Sequence, residues 1–332
     1  MDPLQDLEEA IRHLEQSVRL SPGNPRYSAL LGEAWLLRGD PDAAIAPLQN
    51  SLQRETHPRI ACLMALALLR LDRHQDAEQF ATAAITETAA FHRAYFIRAE
   101  SRIGIGNRME AVSDLREAVA LAPPSETYRL RLAGHLLDLA FESSGDHARA
   151  GLEEAREVLE ARTPLNQVDA WHYLLGCVLV ELGEARQALR RLDDLTWPTT
   201  SEVALRRAQA HALLGETEDA RTCLGQARVD PDLMEEADRM LDRLDNPTAD
   251  APDEPRPKRH APRTELLTVL HMTSTEVLSM PQETDEATAS ELEMLQPSGT
   301  DENDPDSAKQ IARTEELPIA DVKPPTDPRN AS

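Results

Sequence analysis

The sequence predicts an all-α protein: an α-solenoid of stacked helix–turn–helix repeats over residues 1–246, then a disordered acidic tail over 247–332. Three observations carry this reading. Alanine recurs ahead of a small or apolar residue four positions on, at Ala10, Ala44, Ala77, Ala111, Ala155, Ala188 and Ala220, with gaps of 34, 33, 34, 44, 33 and 32 residues. A second series of small residues, Gly32, Ala65, Ala99, Ala133, Gly176 and Ala208, runs 12 residues ahead of its alanine, except that Ala133 precedes Ala155 by 22. Composition also breaks near 246, since every Phe, Tyr and Trp lies before it while 12 of the 23 prolines lie after it.

Each element follows from the register. Two small residues facing each other let two helices approach closely, so each pair of positions marks an antiparallel helix pair. The turns between them read LLRGDPD (36–42), GIGNRME (104–110), ELGEARQ (181–187) and LLGETED (213–219). Gly39, Gly106, Gly183 and Gly215 are placed to end the first helix of a pair. Helices of about a dozen residues are stable only when packed on neighbours, so the pairs must stack. The first repeat keeps only its second helix, opened by Asp2-Pro3. The fifth register carries ten extra residues between Ala133 and Ala155, which predicts five added to each helix of the hairpin. That lengthening is either a plain insertion or a protruding contact edge. Asp230-Pro231 opens a last helix with an apolar stripe of Leu233, Met234, Ala237, Leu241 and Leu244, as a capping helix needs. The expected array is about six full repeats, an N-terminal half repeat and a C-terminal cap.

The pattern resembles the tetratricopeptide repeat. YSALLGEAWLLRGDPDAAIAPLQNSL (27–52) and WHYLLGCVLVELGEARQALRRL (171–192) carry the small, turn-glycine and alanine positions most fully. Pro22 and Pro123 keep the closing proline, and the resemblance spans roughly residues 4–229. It implies that the first helix of each pair lines a concave groove, through the residues six before, three before and one after the small one. The groove positions include Arg26 and Glu33, then Arg59, Cys62 and Leu66, then Arg93, Phe96 and Glu100. They continue through Thr127 and Leu130 to Tyr173 and Cys177, and then Glu202, Leu205 and Gln209. Arg26, Arg59 and Arg93 share one register position, an arginine ladder suited to a peptide with acidic groups. The asparagine–lysine set of the members that bind chaperone tails is absent from these positions.

Little in the chain points to catalysis. Gly104-x-Gly106 sits at a helix–helix turn, whereas a phosphate loop follows a strand. Ten histidines lack ligand spacing, and Cys62, Cys177 and Cys223 are too far apart for a metal set, so no metal and no cofactor are expected. The three thiols read as reduced, buried and inert in a cytoplasmic protein. Acidic pairs such as Glu8/Glu9 and Glu235/Glu236 read as solvated faces. A net charge of −24 argues against nucleic acid as a partner. The opening MDPLQDLEEA does not read as a signal peptide, and no apolar run approaches the ~20 residues of a membrane span.

The tail has its own pattern. It holds 18 acidic and 8 basic side chains, including all three lysines, Lys258, Lys309 and Lys323. Without aromatics it cannot bury enough apolar surface to offset its ordering entropy. RTELL (263–267), STEVL (274–278) and RTEEL (313–317) repeat a Thr-Glu-x-Leu motif, making Thr264, Thr275 and Thr314 docking or phosphorylation candidates. The spacing resembles the phosphothreonine pattern read by forkhead-associated domains, so a phosphothreonine-reading or kinase partner is a possibility for the tail. Residues 264–280 could alternatively fold as a helix on a partner, and PRPKRHAPR (255–263) is a basic island within the linker. The expected function is therefore a protein–protein interaction scaffold, not an enzyme, holding a protein or peptide partner. A peptide-binding chaperone or co-chaperone is the alternative.

Overall fold

In the computed structural model, residues 3–196 and 200–246 are described. The tail assignments, including Thr264, Thr275 and Thr314, lie outside them. The described residues are all-α, with fourteen helices and no strand. They fall into two compact units, one ending at Glu55 and the other beginning at Thr56.

The first unit holds α1 (Pro3–Leu20), α2 (Pro25–Arg38) and α3 (Pro41–Arg54). α2 and α3 form the first full pair. Asn24 and Asp40 cap them by accepting from the backbone N–H groups of Arg26 and Ala43. A Cβ on Gly32 would meet Leu48 Cγ at 2.5 Å, so this glycine is what lets α2 and α3 close. Among the described residues no helix precedes α1, and Ala10 is exposed, whereas Ala44 is fully buried. Its buried side is instead Ile11, with Leu7, Leu14 and Val18, against Leu31, Ala34 and Trp35 of α2.

The second unit holds five pairs and a last helix. The pairs are α4 (Pro58–Arg70) with α5 (His74–Glu87), α6 (His92–Ile105) with α7 (Arg108–Leu121), and α8 (Glu126–Glu142) with α9 (Asp146–Glu160). α10 (Val168–Glu181) with α11 (Ala185–Asp193), and α12 (Ser201–Leu214) with α13 (Thr217–Ala227), follow. α14 (Pro231–Asp245) ends the unit. Each first helix packs on its own second helix; α4 also packs on α6, α8 on α10, α10 on α12 and α12 on α14, and α6 meets α8 through Phe96 and Tyr128. Ala65, Ala99, Ala133 and Ala208 of the one series, and Ala77, Ala111, Ala155, Ala188 and Ala220 of the other, have no exposed surface. At Gly176 an added Cβ would come within 2.7 Å of Leu192. Five turns carry glycines at positive φ, Gly39, Gly106, Gly145, Gly183 and Gly215, while Asp72 holds φ 55 at the α4–α5 turn, which has no glycine. Gly104, the other half of the Gly-x-Gly motif, gives room to the His74 ring, which its Cβ would meet at 2.5 Å.

Ion pairs add ties between pairs. Asp114, almost fully buried, takes both Arg98 (2.6 and 2.9 Å) and Arg102 (2.8 Å), and Arg102 also reaches Glu78 on α5. Arg116 joins α7 to α9 through Glu154, and Arg156 joins α9 to Glu184 ahead of α11.

Two expectations need correction. The ten extra residues are not shared five and five. α8 runs nine residues past Ala133, against six past Ala99 in α6, and α9 begins nine before Ala155, against three before Ala111 in α7. The split is therefore three and six, with one in the turn. The cap stripe also differs. Met234 is 46% exposed, while Met240 packs inward beside Leu233, Ala237, Leu241 and Leu244. At about 100° per residue Met234 falls on the outer edge of the stripe, roughly 120° around the helix from Met240.

Candidate protein-interaction site

The predicted groove residues sit on the first helix of each pair. In the first unit Arg26 is exposed and Glu33 half-buried on α2. In the second unit Arg59 is the second residue of α4 and Arg93 the second of α6. These two helices pack side by side, so the arginines stand at equivalent places near two adjacent helix N-termini. Both are half-buried.

Beneath them is a floor. Cys62, Leu66 and Phe96 are buried, and the Phe96 ring stacks on Tyr128 of α8 at 4.8 Å. His92 Nδ1 lies 3.0 Å from the Tyr128 hydroxyl. Burial pushes the Cys62 thiol up to about 12, against the opposing pull of Arg93 and Arg59, so both guanidinium groups act on one spot. Burial likewise raises Tyr128 well above the usual phenol range. Glu100 is held by Arg131 of α8 through both carboxylate oxygens. Phe96 and Glu100 thus make these contacts within the protein, and Leu66 is buried beside them on α4.

The same register positions on α10 and α12 look different. Tyr173 is fully buried and donates to Glu202 Oε1 at 2.9 Å. Arg206, 1% exposed, lies 3.7 Å from Glu202 and donates to Gln209 Oε1 at 3.1 Å. Gln209 in turn donates to Glu236 of α14 at 3.2 Å. Glu236 is therefore a buried acceptor and not part of a solvated face. Phe141, on the three-residue extension of α8, turns its ring to the Arg206 guanidinium at 5.7 Å. The expected protruding edge thus sends at least this side chain inward. Burial pushes Tyr173 up and the Cys177 thiol up to about 12. Cys223, expected to be buried, is half-buried.

A different set of residues escaped the sequence reading. The α8 carboxylate of Glu126 accepts from three successive backbone N–H groups, Leu165, Asn166 and Gln167, at 2.6, 3.1 and 3.3 Å, and so fixes the loop before α10. Trp171 anchors the same loop by donating to the Leu159 carbonyl at 2.7 Å. At the α12–α13 turn His211 Nδ1 lies 2.7 Å from Glu216, with Asp219 beside them. Their spacing crosses a turn, so no helix-face periodicity flags it. Among the described residues no helix is long and apolar enough to cross a membrane.

Paired helices with small residues at their crossings define the class: an α-solenoid of stacked helix–turn–helix repeats, tetratricopeptide-like in fold. Residues 4–84 match the model of the family described as anaphase-promoting complex, cyclosome, subunit 3. No curated protein matches the chain. Among solved structures it is similar to a tetratricopeptide repeat protein from Parabacteroides merdae, at 17% identity over 73% of this chain and 93% of that one, TM-score 0.46. It is also similar to Pseudomonas aeruginosa pilF, at 14% over 68% and 97%, TM-score 0.49. A third is TTC0263, a tetratricopeptide repeat protein of Thermus thermophilus, at 21% over 56% and 99%, TM-score 0.41. Likeness of this degree brings no partner over to this chain.

Proposed function

We propose that this chain is an interaction scaffold whose α4–α6–α8 face holds an acidic peptide segment of a partner protein. The observation that carries it is the placing of Arg59 and Arg93 at matching positions above a buried floor of Cys62, Leu66, Phe96 and Tyr128. Guanidinium groups take carboxylates in a two-pronged fashion, and adjacent helix N-termini add positive potential. An extended segment can lay its acidic side chains along α4 and α6 while alternate residues meet the half-buried rim. In the same reading the tail recruits a second partner, with Thr264, Thr275 and Thr314 as the positions that phosphate would switch.

The test is fluorescence anisotropy with a labelled Glu/Leu-rich ten-residue peptide and the full chain. Replacing Arg59 and Arg93 by alanine should weaken binding at least tenfold and flatten its salt dependence. Binding that ignores both arginines refutes the reading. For the tail, alanine at the three threonines should abolish kinase-dependent capture of a partner; unchanged capture rejects the phosphate switch.

A further inference from the structure

We infer that His211, Glu216 and Asp219 at the α12–α13 turn bind a divalent transition-metal ion of the zinc class. The site shares no residue with the α4–α6–α8 face, so its test is independent of the peptide-binding reading.

The donor set is the first ground. One ligand atom from each of the three residues lies within 4.8 Å of the other two. Four other histidines, His13, His74, His135 and His172, each stand near one carboxylate. Among the described residues, only His211 is joined by a second carboxylate at such range. One imidazole with two carboxylates is a set that zinc accepts. Tetrahedral zinc, with bonds of about 2.0–2.2 Å, places its ligand atoms about 3.3 Å apart. His211 Nδ1 and Glu216 Oε2 stand 2.7 Å apart. Opening that pair slightly and drawing Asp219 in asks for side-chain rotation alone. Both carboxylates are exposed and so have room to turn, while the half-buried His211 holds the nitrogen donor in place.

The backbone is the second ground. Gly215 ends α12 at φ 74, and the Glu216 N–H donates back to the His211 carbonyl at 3.0 Å. Glu216 is the N-cap residue of α13, yet its side chain makes no capping bond; its carboxylate meets His211 instead. Asp219 follows three residues later, one turn along the same helix face.

Charge is the third. Two carboxylates at this range repel each other unless a cation lies between them. Arg221 takes Glu218 and Asp245, and among the described residues Asp219 is in no ion pair. A divalent ion held by the three residues offsets both acids at once. Three protein ligands leave a tetrahedral ion one open position, for water or for a group from a partner.

The experiment uses the full chain, treated with EDTA and then dialysed. Zinc chloride is titrated by calorimetry, and cobalt chloride is followed by visible absorption. Zinc should bind, and of the ten histidines it should move the His211 ring resonances in long-range 1H–15N spectra. His211→Ala and Asp219→Asn should each weaken binding at least tenfold, whereas His74→Gln should leave it unchanged. Asp219→Asn is the discriminating variant, because it spares the His211–Glu216 hydrogen bond. Circular dichroism checks the fold, and should His211→Ala lose its helices, Asp219→Asn decides alone. Absence of zinc binding overturns the inference. So does binding that neither variant weakens, because the ion then sits elsewhere on the chain. Loss in His211→Ala with Asp219→Asn unaffected overturns it too, because Asp219 is then no ligand.

Discussion

On α4 and α6 the register position six residues before the small one holds Arg59 and Arg93, both half-buried; on α12 it holds Glu202, only 4% exposed. The repeat is the same, so the register does not decide what a groove position does. What covers it does. Over α12 the longer α8 brings Phe141 toward Arg206, and α14 brings Glu236 to Gln209. Charges under such cover must find partners inside the protein, and Tyr173, Glu202, Arg206, Gln209 and Glu236 make a connected chain that meets this need. The arginines of α4 and α6 keep part of their surface and so keep part of their hydration. One set of charges is thereby committed to internal contacts, while the other stays partly in contact with water.

The difference can be broken by mutation. Arg206→Ala should cost the most, about 3–5 kcal/mol, because it leaves Glu202 buried without its cation. Urea denaturation at pH 7 measures it, and a loss under 1 kcal/mol would mean the network does not support the fold. Next is acid. His135 of α8 is pushed down to about 4 by burial, and by Arg131 and Arg108, against the opposite pull of Glu100; Asp138 faces it at 3.7 Å. The unfolded chain therefore takes up the proton first. This contribution to stability is full above about pH 6.5 and is lost as pH falls toward 4. Between pH 7 and pH 5 the unchanged protein should lose about 2 kcal/mol more than His135→Gln does. Parallel urea titrations at the two pH values test the sign.

Phe141→Ala should cost less, about 1–2 kcal/mol, through lost packing and the lost ring–guanidinium contact. It should also let water reach Arg206, seen as faster amide exchange in α12. The smallest effect sharpens the comparison from the other side. Arg59→Ala with Arg93→Ala should shift stability by no more than about 0.5 kcal/mol each while removing acidic-peptide binding. If the pair proves as costly as Arg206→Ala, the two faces do not differ in kind.

Much of the fold was legible in the sequence, because the contacts that set it involve residues with little freedom. A glycine against Leu48 or Leu192, and an alanine at each other crossing, leave a trace at fixed spacing. So do the left-handed turn glycines. The exposure of Ala10 shows that a register position has no meaning without its partner helix. The site was only partly legible. The arginines of α4 and α6 lie at the same spacing as the small residues, so the register finds them. The Arg206 network depends on how three added residues of α8 turn Phe141 toward a helix two pairs away, and no local period encodes that. The Glu126 loop anchor and the His211–Glu216 pair join groups across irregular backbone, where spacing again says nothing. Met234 was misplaced because it lies at the edge of the stripe, where the apolar pattern does not say how far the covering helix reaches.

The cysteines offer a final consequence. Cys62 on α4 and Cys177 on α10 are buried thiols pushed up to about 12, and Cys223 on α13 is half-buried. A thiol-reactive dye can modify the first two only while their surroundings are open. The chain thus carries its own clocks, one in the arginine-bearing repeats and one beside the Arg206 network. Labelling rates followed by mass spectrometry would time the opening of each region separately, with no residue introduced for the purpose.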